Sequence, residues 1–337
     1  MRQVVVSSPG VVEVREVPLP EPGKSEVRVR SRLVGICGSD LHGLSGTHPF
    51  IAFPYVPGHE VVGTVDEVGA GVDDLKPGTR VLLEPNIVCG SCAYCASGRY
   101  NLCENLAVVG GQITGAMADA FVAPASRFHA VPDTMSDADA ALVEPMSTAV
   151  HATRLAGDLE GRAVAVLGGG TIGLLVLVAA ISAGAKVVAV SEPVASKRDR
   201  ALRLGAHFCC DPRQGDVVPG IRAVLGGHAD VVFDCVANQE SIDQAVRLAE
   251  KGGRVVVVGV ASGNVAVPLH IIQDREIRIE GSAMYVRADV LKAIDLISDN
   301  RAPANELVTA TLPLAEAARA FALAKAGDSV KVYVGNV

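Results

Sequence analysis

Residues 163–185 read AVAVLGGGTIGLLVLVAAISAGA, twenty-three positions without one charged side chain. Length alone would suit a membrane span. Gly168, Gly169 and Gly170 instead divide the stretch into a short strand and a helix, and no aromatic anchors flank it. The spacing Gly168-x-Gly170-x-x-Gly173 is that of a dinucleotide-binding turn. The first glycine allows the tight turn, the second lets backbone N–H groups approach a pyrophosphate, and the third lets the helix pack closely on the strand. The helix N-terminus, at Thr171 and Ile172, adds the positive end of its dipole. The following strand, KVVAV, ends at Ser191-Glu192, where an acidic residue would bind the adenine ribose hydroxyls. A carboxylate there repels a 2′-phosphate, which favours NAD over NADP. Lys197 and Arg198 argue the other way, unless they lie on a solvated helix face.

Outward from this turn the same grammar repeats. KVVAVSE is followed by ASKRDRALRLG, ADVVFDCV by QESIDQAVRLAEKG, and RVVVVGV closes the series. Alternating buried strands and amphipathic helices predict a doubly wound parallel sheet, so the chain reads as α/β. Before about residue 135 the pattern differs: VVEVREVPLPEPG, EVRVRSRLVGICG, HEVVGTVDEVGAGV, GTRVLLEP and AFVAPASRFHAVP are short alternating segments broken by Gly and Pro. They predict an antiparallel β-barrel. The helical run DADAALVEPMSTAVHATRLAG begins the change at Asp137. Past residue 280 a helix, a helix and a strand are expected to return to the first domain. The expected division is therefore 1–140 with 281–337, carrying a lobe at 86–105, against 141–280 for the dinucleotide-binding domain.

A chain of 337 residues suits two domains. Its 49% hydrophobic and 20% charged residues place it among folded globular chains. The net charge of -7 carries no basic patch of the kind nucleic acid needs. The N-terminus, MRQVVVSSPGVVEVREV, alternates like a strand and lacks a signal peptide's apolar core. A cytoplasmic location is expected, where thiols stay reduced and clustered cysteines point to metal.

Residues 89–103, CGSCAYCASGRYNLC, hold four of the eight cysteines. Cys89, Cys92, Cys95 and Cys103 are close enough to surround one zinc ion tetrahedrally, and a site closed by four sulfurs is structural. An iron–sulfur cluster would use the same ligands but lacks companion motifs here. A zinc ribbon for nucleic acid is disfavoured, since Arg99 is the loop's one basic residue. A second set is dispersed: Cys37 in GICGSDLH, His59 and Glu60 in PGHE, and Glu144 in LVEPMSTAVH. A mixed thiolate, imidazole and carboxylate set is what a catalytic zinc uses, three ligands leaving a fourth position open. Taken singly, Cys37 also reads as a small core residue, His59 as a turn residue and Glu144 as a helix N-terminal charge. Cys209, Cys210 and Cys235 read as core packing.

GICGSD around Cys37, GHEVVGTVDEVGAGV (58–72), the four-cysteine lobe and GGGTIG occur in the order that resembles the zinc-dependent medium-chain alcohol dehydrogenases, over essentially the whole chain. The resemblance implies a GroES-like catalytic domain with a Rossmann domain, and two zinc ions per subunit. It implies catalytic-zinc ligation by Cys37 and His59, with Glu144-Pro145 at the third place as in the polyol, threonine and butanediol dehydrogenase branch. Glu60 would lie beside the metal and exchange onto it. Ser39 and His42 would relay a proton to solvent, Asp40 would orient a ligand, and Thr148 would pack near nicotinamide, although with His151 it also reads as helix surface. The reaction implied is oxidation of a secondary alcohol, with hydride passing to NAD in the cleft between the two domains. The substrate is expected among polyols, sugar acids, vicinal diols and cyclitols. Met284-Tyr285 stands where polyol enzymes often carry Arg-Tyr, which weakens a sorbitol-like substrate. Tetramers or dimers are implied. The rivals are a zinc-free quinone reductase and a non-catalytic, crystallin-like or regulatory NAD-binding protein.

Overall fold

The computed structural model describes residues 1–335. They form two compact units: 1–144 with 303–335, and 145–302.

In the first unit, the hairpin Arg2–Ser8 with Val11–Glu16 flanks a seven-stranded sheet. That sheet is centred on Glu26–Gly35, which pairs antiparallel with Glu60–Val68, Ala120–Pro124 and Lys331–Gly335. The alternating apolar residues of these strands, Val27, Val29, Val61 and Val65, share one core with Phe121 and Val334. The sheet is mixed and not wholly antiparallel, because Val308–Pro313 runs parallel to Lys331–Gly335. The chain's last described strand thus returns to the first unit, and residue 335 closes beside Leu33.

The second unit is a six-stranded, wholly parallel sheet. Its order is Phe208–Cys210, Val187–Ser191, Ala163–Leu167, Ala229–Asp234, Ala249–Val257, Arg278–Gly281. Numbered along the chain this is 3-2-1-4-5-6, the doubly wound order in which a dinucleotide binds outside the carboxyl ends of the strands. Val164, Val166, Val188, Val190 and Val232 are fully buried, as the continuous apolar runs predict. The uncharged stretch resolves into Ala163–Leu167 and a twelve-residue helix, Thr171–Ser182. No helix among the described residues is long and apolar enough to cross a membrane.

The return to the first unit comes at 303 and not at 281. Residues 281–302 stay with the second unit, where the helix Arg287–Ser298 buries Val290, Ala293, Leu296 and Ile297 along with one carboxylate. Asp289, in the helix Arg287–Ser298, accepts from Arg154 Nε at 2.7 Å and lies 2.9 Å from His151 Nδ1, both on the helix Val143–Ala156. It also accepts from the Val286 N–H, closing its own helix N-terminus. His151 is therefore buried in this network and not a surface residue. Burial alone would raise the Asp289 carboxyl, but His151 and Arg154 draw it down to about 2 from its ordinary 3.8. A depressed carboxylate stabilises the fold above its unfolded pKa and loses that contribution as pH falls through the folded value. Asp289→Asn should therefore cost about 2 kcal/mol at neutral pH, a difference from wild type that vanishes near pH 2. Urea unfolding followed at both pH values checks it.

Candidate active site

Cys37 precedes the helix Gly38–Leu44, and the Asp40 carboxylate accepts from the Cys37 N–H at 2.9 Å, fixing the thiol's backbone. His59 follows Gly58, whose φ of +103° and whose approach to the Met117 backbone exclude a side chain there. A Cβ on Gly58 would sit 2.7 Å from Met117 N. Strand pairing sets Glu60 opposite Gly35, where a Cβ would fall 1.9 Å from Glu60 Oε2. These constraints bring Cys37, His59 and Glu60 together, with ligand atoms all within 4.8 Å of one another.

The donor set fits a zinc ion by its chemistry and by one orphaned atom. Asp40 Oδ1 is buried without a hydrogen bond, 3.9 Å from His59 Nδ1. A carboxylate poised on a ligand imidazole is the usual second support of a metal-binding histidine. Burial pushes the His59 imidazole down, but Asp40, Cys37 and Glu144 together hold it well above its ordinary pKa. Without a metal, this imidazole keeps a proton that a cation would replace. Glu144 is buried in the first turn of the helix Val143–Ala156 and acts on His59 through its charge, but lies outside the close three-ligand group.

One residue here has no counterpart in the sequence reading. Lys331 Nζ lies 2.6 Å from both Glu60 oxygens and donates to the Ile36 carbonyl at 3.1 Å. The two side chains are 2% and 0% exposed. Burial pushes the ammonium pKa down, and Glu60 outweighs it, so the group is a buried cation. Glu60 is thus both a candidate ligand and half of a buried ion pair. Ser39 and His42 stand on one face of the helix Gly38–Leu44, and His42 Nδ1 lies 3.4 Å from Thr47 Oγ1.

In the lobe the four thiols converge. Sγ–Sγ separations are 3.5 Å for Cys89–Cys103, 3.9 Å for Cys89–Cys95 and 4.0 Å for Cys92–Cys103. A zinc–sulfur bond of about 2.3 Å puts tetrahedral sulfurs about 3.8 Å apart, and a disulfide requires about 2.0 Å. Backbone N–H groups of Ser91 and Cys92 lower the Cys89 thiol to about 5, while burial and the neighbouring thiols push Cys95 up to about 12. Four adjacent thiols cannot all ionise without a cation among them. The lobe is moored by Tyr100, whose hydroxyl donates to the buried Glu84 at 2.7 Å.

At the dinucleotide turn, Gly168 has φ +96° and its N–H donates to the Ser191 carbonyl. A Cβ on Gly173 would sit 1.8 Å from Gly168 O, so the third glycine is required by helix-to-strand packing. A Cβ on Gly170 meets nothing, leaving open the space where a pyrophosphate would approach. Glu192 is buried at the end of the neighbouring strand, its carboxylate accepting from Gly169 N at 2.7 Å and Val194 N at 2.8 Å. Arg198 turns inward, donating to the Glu192 and Pro193 carbonyls and pairing with Asp211. Lys197 is half-buried on the same helix, Ala195–Arg203. Thr148 is half-buried on Val143–Ala156. Cys209, Cys210 and Cys235 are half-buried and not fully in the core; burial raises all three thiols, Cys209 to about 12. Tyr285 is 1% exposed, and Met284 beside it holds a φ of +50°.

Comparison with known proteins agrees with these features. The family model for an alcohol dehydrogenase GroES-like domain matches residues 23–133, and that for a zinc-binding dehydrogenase matches 171–299. The chain is 35% identical to the sorbitol dehydrogenase of Gallus gallus over 98% of its own length and 95% of the relative's. A zinc-binding dehydrogenase structure from Sinorhizobium meliloti, bound to NADP, superposes with a TM-score of 0.93 at 36% identity, covering 99% of this chain and 98% of that one. The 2R,3R-butanediol dehydrogenase of Bacillus subtilis superposes with a TM-score of 0.92 at 28% identity, covering 100% and 99%.

Proposed function

The chain belongs to the zinc-dependent medium-chain alcohol dehydrogenase family, oxidoreductases acting on CH–OH donors, and from that premise we propose that it oxidises a secondary alcohol bearing further oxygens, with NAD as hydride acceptor. The observation that carries this reading is the convergence of Cys37, His59 and Glu60 within 4.8 Å. Zinc bound there would supply a Lewis acid that lowers the pKa of a substrate hydroxyl. Cys37 and His59 hold it, with Glu144 or Glu60 as the carboxylate ligand. Asp40 orients His59, and Ser39 passes the substrate's proton to His42 and on to solvent. A second zinc, held by Cys89, Cys92, Cys95 and Cys103, is structural.

Gly168, Gly170, Thr171, Ile172 and Gly173 cradle the pyrophosphate, Glu192 takes the ribose hydroxyls, and Lys197 and Thr148 complete the cofactor contacts. NAD is favoured because Glu192 is already held by two backbone N–H groups and Arg198 is spent on carbonyls and Asp211. Glu192→Ala should weaken NADH binding about tenfold and NADPH binding less, since it removes hydrogen bonds to hydroxyls and a charge that repels phosphate. Fluorescence titration with both cofactors checks this.

Substrates of the sorbitol and 2,3-butanediol type fit the relatives' names. A homo-oligomer, tetramer or dimer, is supported by the outer edge of the strand Arg278–Gly281 and by the nearby exposed Val260, Val265, Val267 and Leu269. Eight unpaired cysteines support a reducing, cytoplasmic location. The test is nicotinamide absorbance on mixing the protein with NAD and a panel of secondary alcohols. Turnover that a chelator removes and zinc restores is the expected result; no turnover of any alcohol would refute the reading.

A further inference from the structure

Two strand ends meet beside the dinucleotide turn. Val187–Ser191 runs parallel to Phe208–Cys210, and the Glu192 N–H donates to the Cys210 carbonyl at 2.9 Å, so Glu192 and Asp211 leave the sheet side by side at its carboxyl edge. Two guanidiniums gather there. Arg198 donates to the Glu192 carbonyl at 2.8 Å and to the Pro193 carbonyl at 2.7 Å. Arg213 also donates to the Pro193 carbonyl. One carboxylate then engages both. Asp211 accepts from Arg213 Nε at 3.0 Å and Nη2 at 2.8 Å, a two-pronged contact, and lies 3.4 Å from Arg198 Nη1.

The partners differ in freedom. The Arg213 side chain is 66% exposed and that of Asp211 is 7% exposed. Asp211 also accepts from the Arg213 N–H at 3.0 Å, capping the turn Pro212–Gln214, so the carboxylate is fixed while the long guanidinium is free to rotate. Its contacts with Arg213 draw the Asp211 carboxyl down to about 2, so it is charged at neutral pH. A cavity of about 440 Å³ opens beside the pair, lined among others by Arg198, Cys210, Asp211, Gln214 and Asp216. The carboxylate and Arg198 therefore border open volume and not packed core.

A 2′-phosphate on a ribose seated against Glu192 needs a cation at that strand end. Arg198 and Arg213 already touch the Glu192–Pro193 backbone, but both are neutralised. A carboxylate on the same short stretch of chain competes for them at high effective concentration against a dissolved phosphate. We infer that Asp211 is a cofactor-selecting residue: by holding Arg213 and Arg198, its carboxylate withholds from NADP the cations that would accept a 2′-phosphate. This rests on the dinucleotide reading of the Gly168–Gly173 turn. To Glu192, which repels the phosphate, it adds a second carboxylate that deprives the phosphate of partners.

The experiment is fluorescence titration of NADH and of NADPH into wild type, Asp211→Asn, Arg213→Gln and the double variant. Asp211→Asn keeps an oxygen for the Arg213 N–H and removes the charge. It should tighten NADPH binding about three- to tenfold and move NADH binding by less than about twofold. Its NADPH affinity should also fall more steeply with added salt than that of wild type, because a charge pair has been gained. Arg213→Gln alone should bring no gain, and the double variant should lose most of it, since the released guanidinium is then missing. Asp211→Ser, which also removes the charge and keeps a capping oxygen, serves if the asparagine variant folds poorly. A folded Asp211 variant whose NADPH-to-NADH affinity ratio equals that of wild type overturns the inference, as does a gain that survives undiminished in the double variant. Failure of wild type to bind either cofactor would instead strike the reading of the turn.

Discussion

Cys37→Ser is expected to lower kcat/KM for alcohol oxidation about a thousandfold or more and to reduce the zinc content from two ions per chain to one. The thiolate is the one soft ligand of the dispersed set, and a serine hydroxyl is a far weaker zinc ligand at neutral pH. The four-sulfur lobe would keep its ion, because its mooring through Tyr100 and Glu84 shares nothing with the Cys37 loop. The variant should therefore fold with one zinc and no useful activity, as elemental analysis alongside steady-state kinetics would show. Two zinc ions with undiminished turnover would contradict the assignment.

Lys331→Met is expected to destabilise the protein by about 3–5 kcal/mol, because it strands Glu60 as a buried and uncompensated charge. Both Glu60 oxygens lie 2.6 Å from the ammonium. The same ammonium donates to the Ile36 carbonyl, one residue before Cys37, so the ion pair also braces the thiol's backbone. The double variant Lys331→Met with Glu60→Gln should recover most of the loss, since no net charge is then buried. Urea unfolding of the two variants measures this. A single variant within about 1 kcal/mol of wild type would show that the pair is solvated in solution.

The fold was legible where local pattern and final environment coincide. The strand Ala163–Leu167 and the three spaced glycines announce themselves because strand, turn and helix follow one another directly in the sequence. Gly173 must be small for its approach to Gly168, and Gly168 must turn. The lobe cysteines stand out as a candidate metal set by residue type and spacing, whereas Cys37 and His59 stand out only through the resemblance that GICGSD and GHE carry.

What remained hidden is long-range. The helix Arg287–Ser298 has the periodicity of any surface helix; it lies in the second unit, where Asp289 meets His151 and Arg154 more than a hundred residues earlier. Lys331 opens the strand Lys331–Gly335, and nothing in its local sequence marks it as buried. Only its pairing across nearly three hundred residues with Glu60 makes it a buried cation. The parallel strand pair at Val308–Pro313 was equally silent, since strand direction leaves no mark on alternation.

The central claim is that the dispersed thiolate, imidazole and carboxylate centre holds the metal at which alcohol reacts. The most direct measurement replaces zinc with cobalt(II) in metal-stripped protein, one equivalent at a time, while recording the visible spectrum and alcohol oxidation together. Two bands are predicted, one from a four-sulfur site indifferent to alcohol, and one from a single-sulfur site that shifts when alcohol is added and whose filling tracks activity. Activity that saturates with the four-sulfur band alone, or a single-sulfur band unmoved by alcohol, would contradict the account.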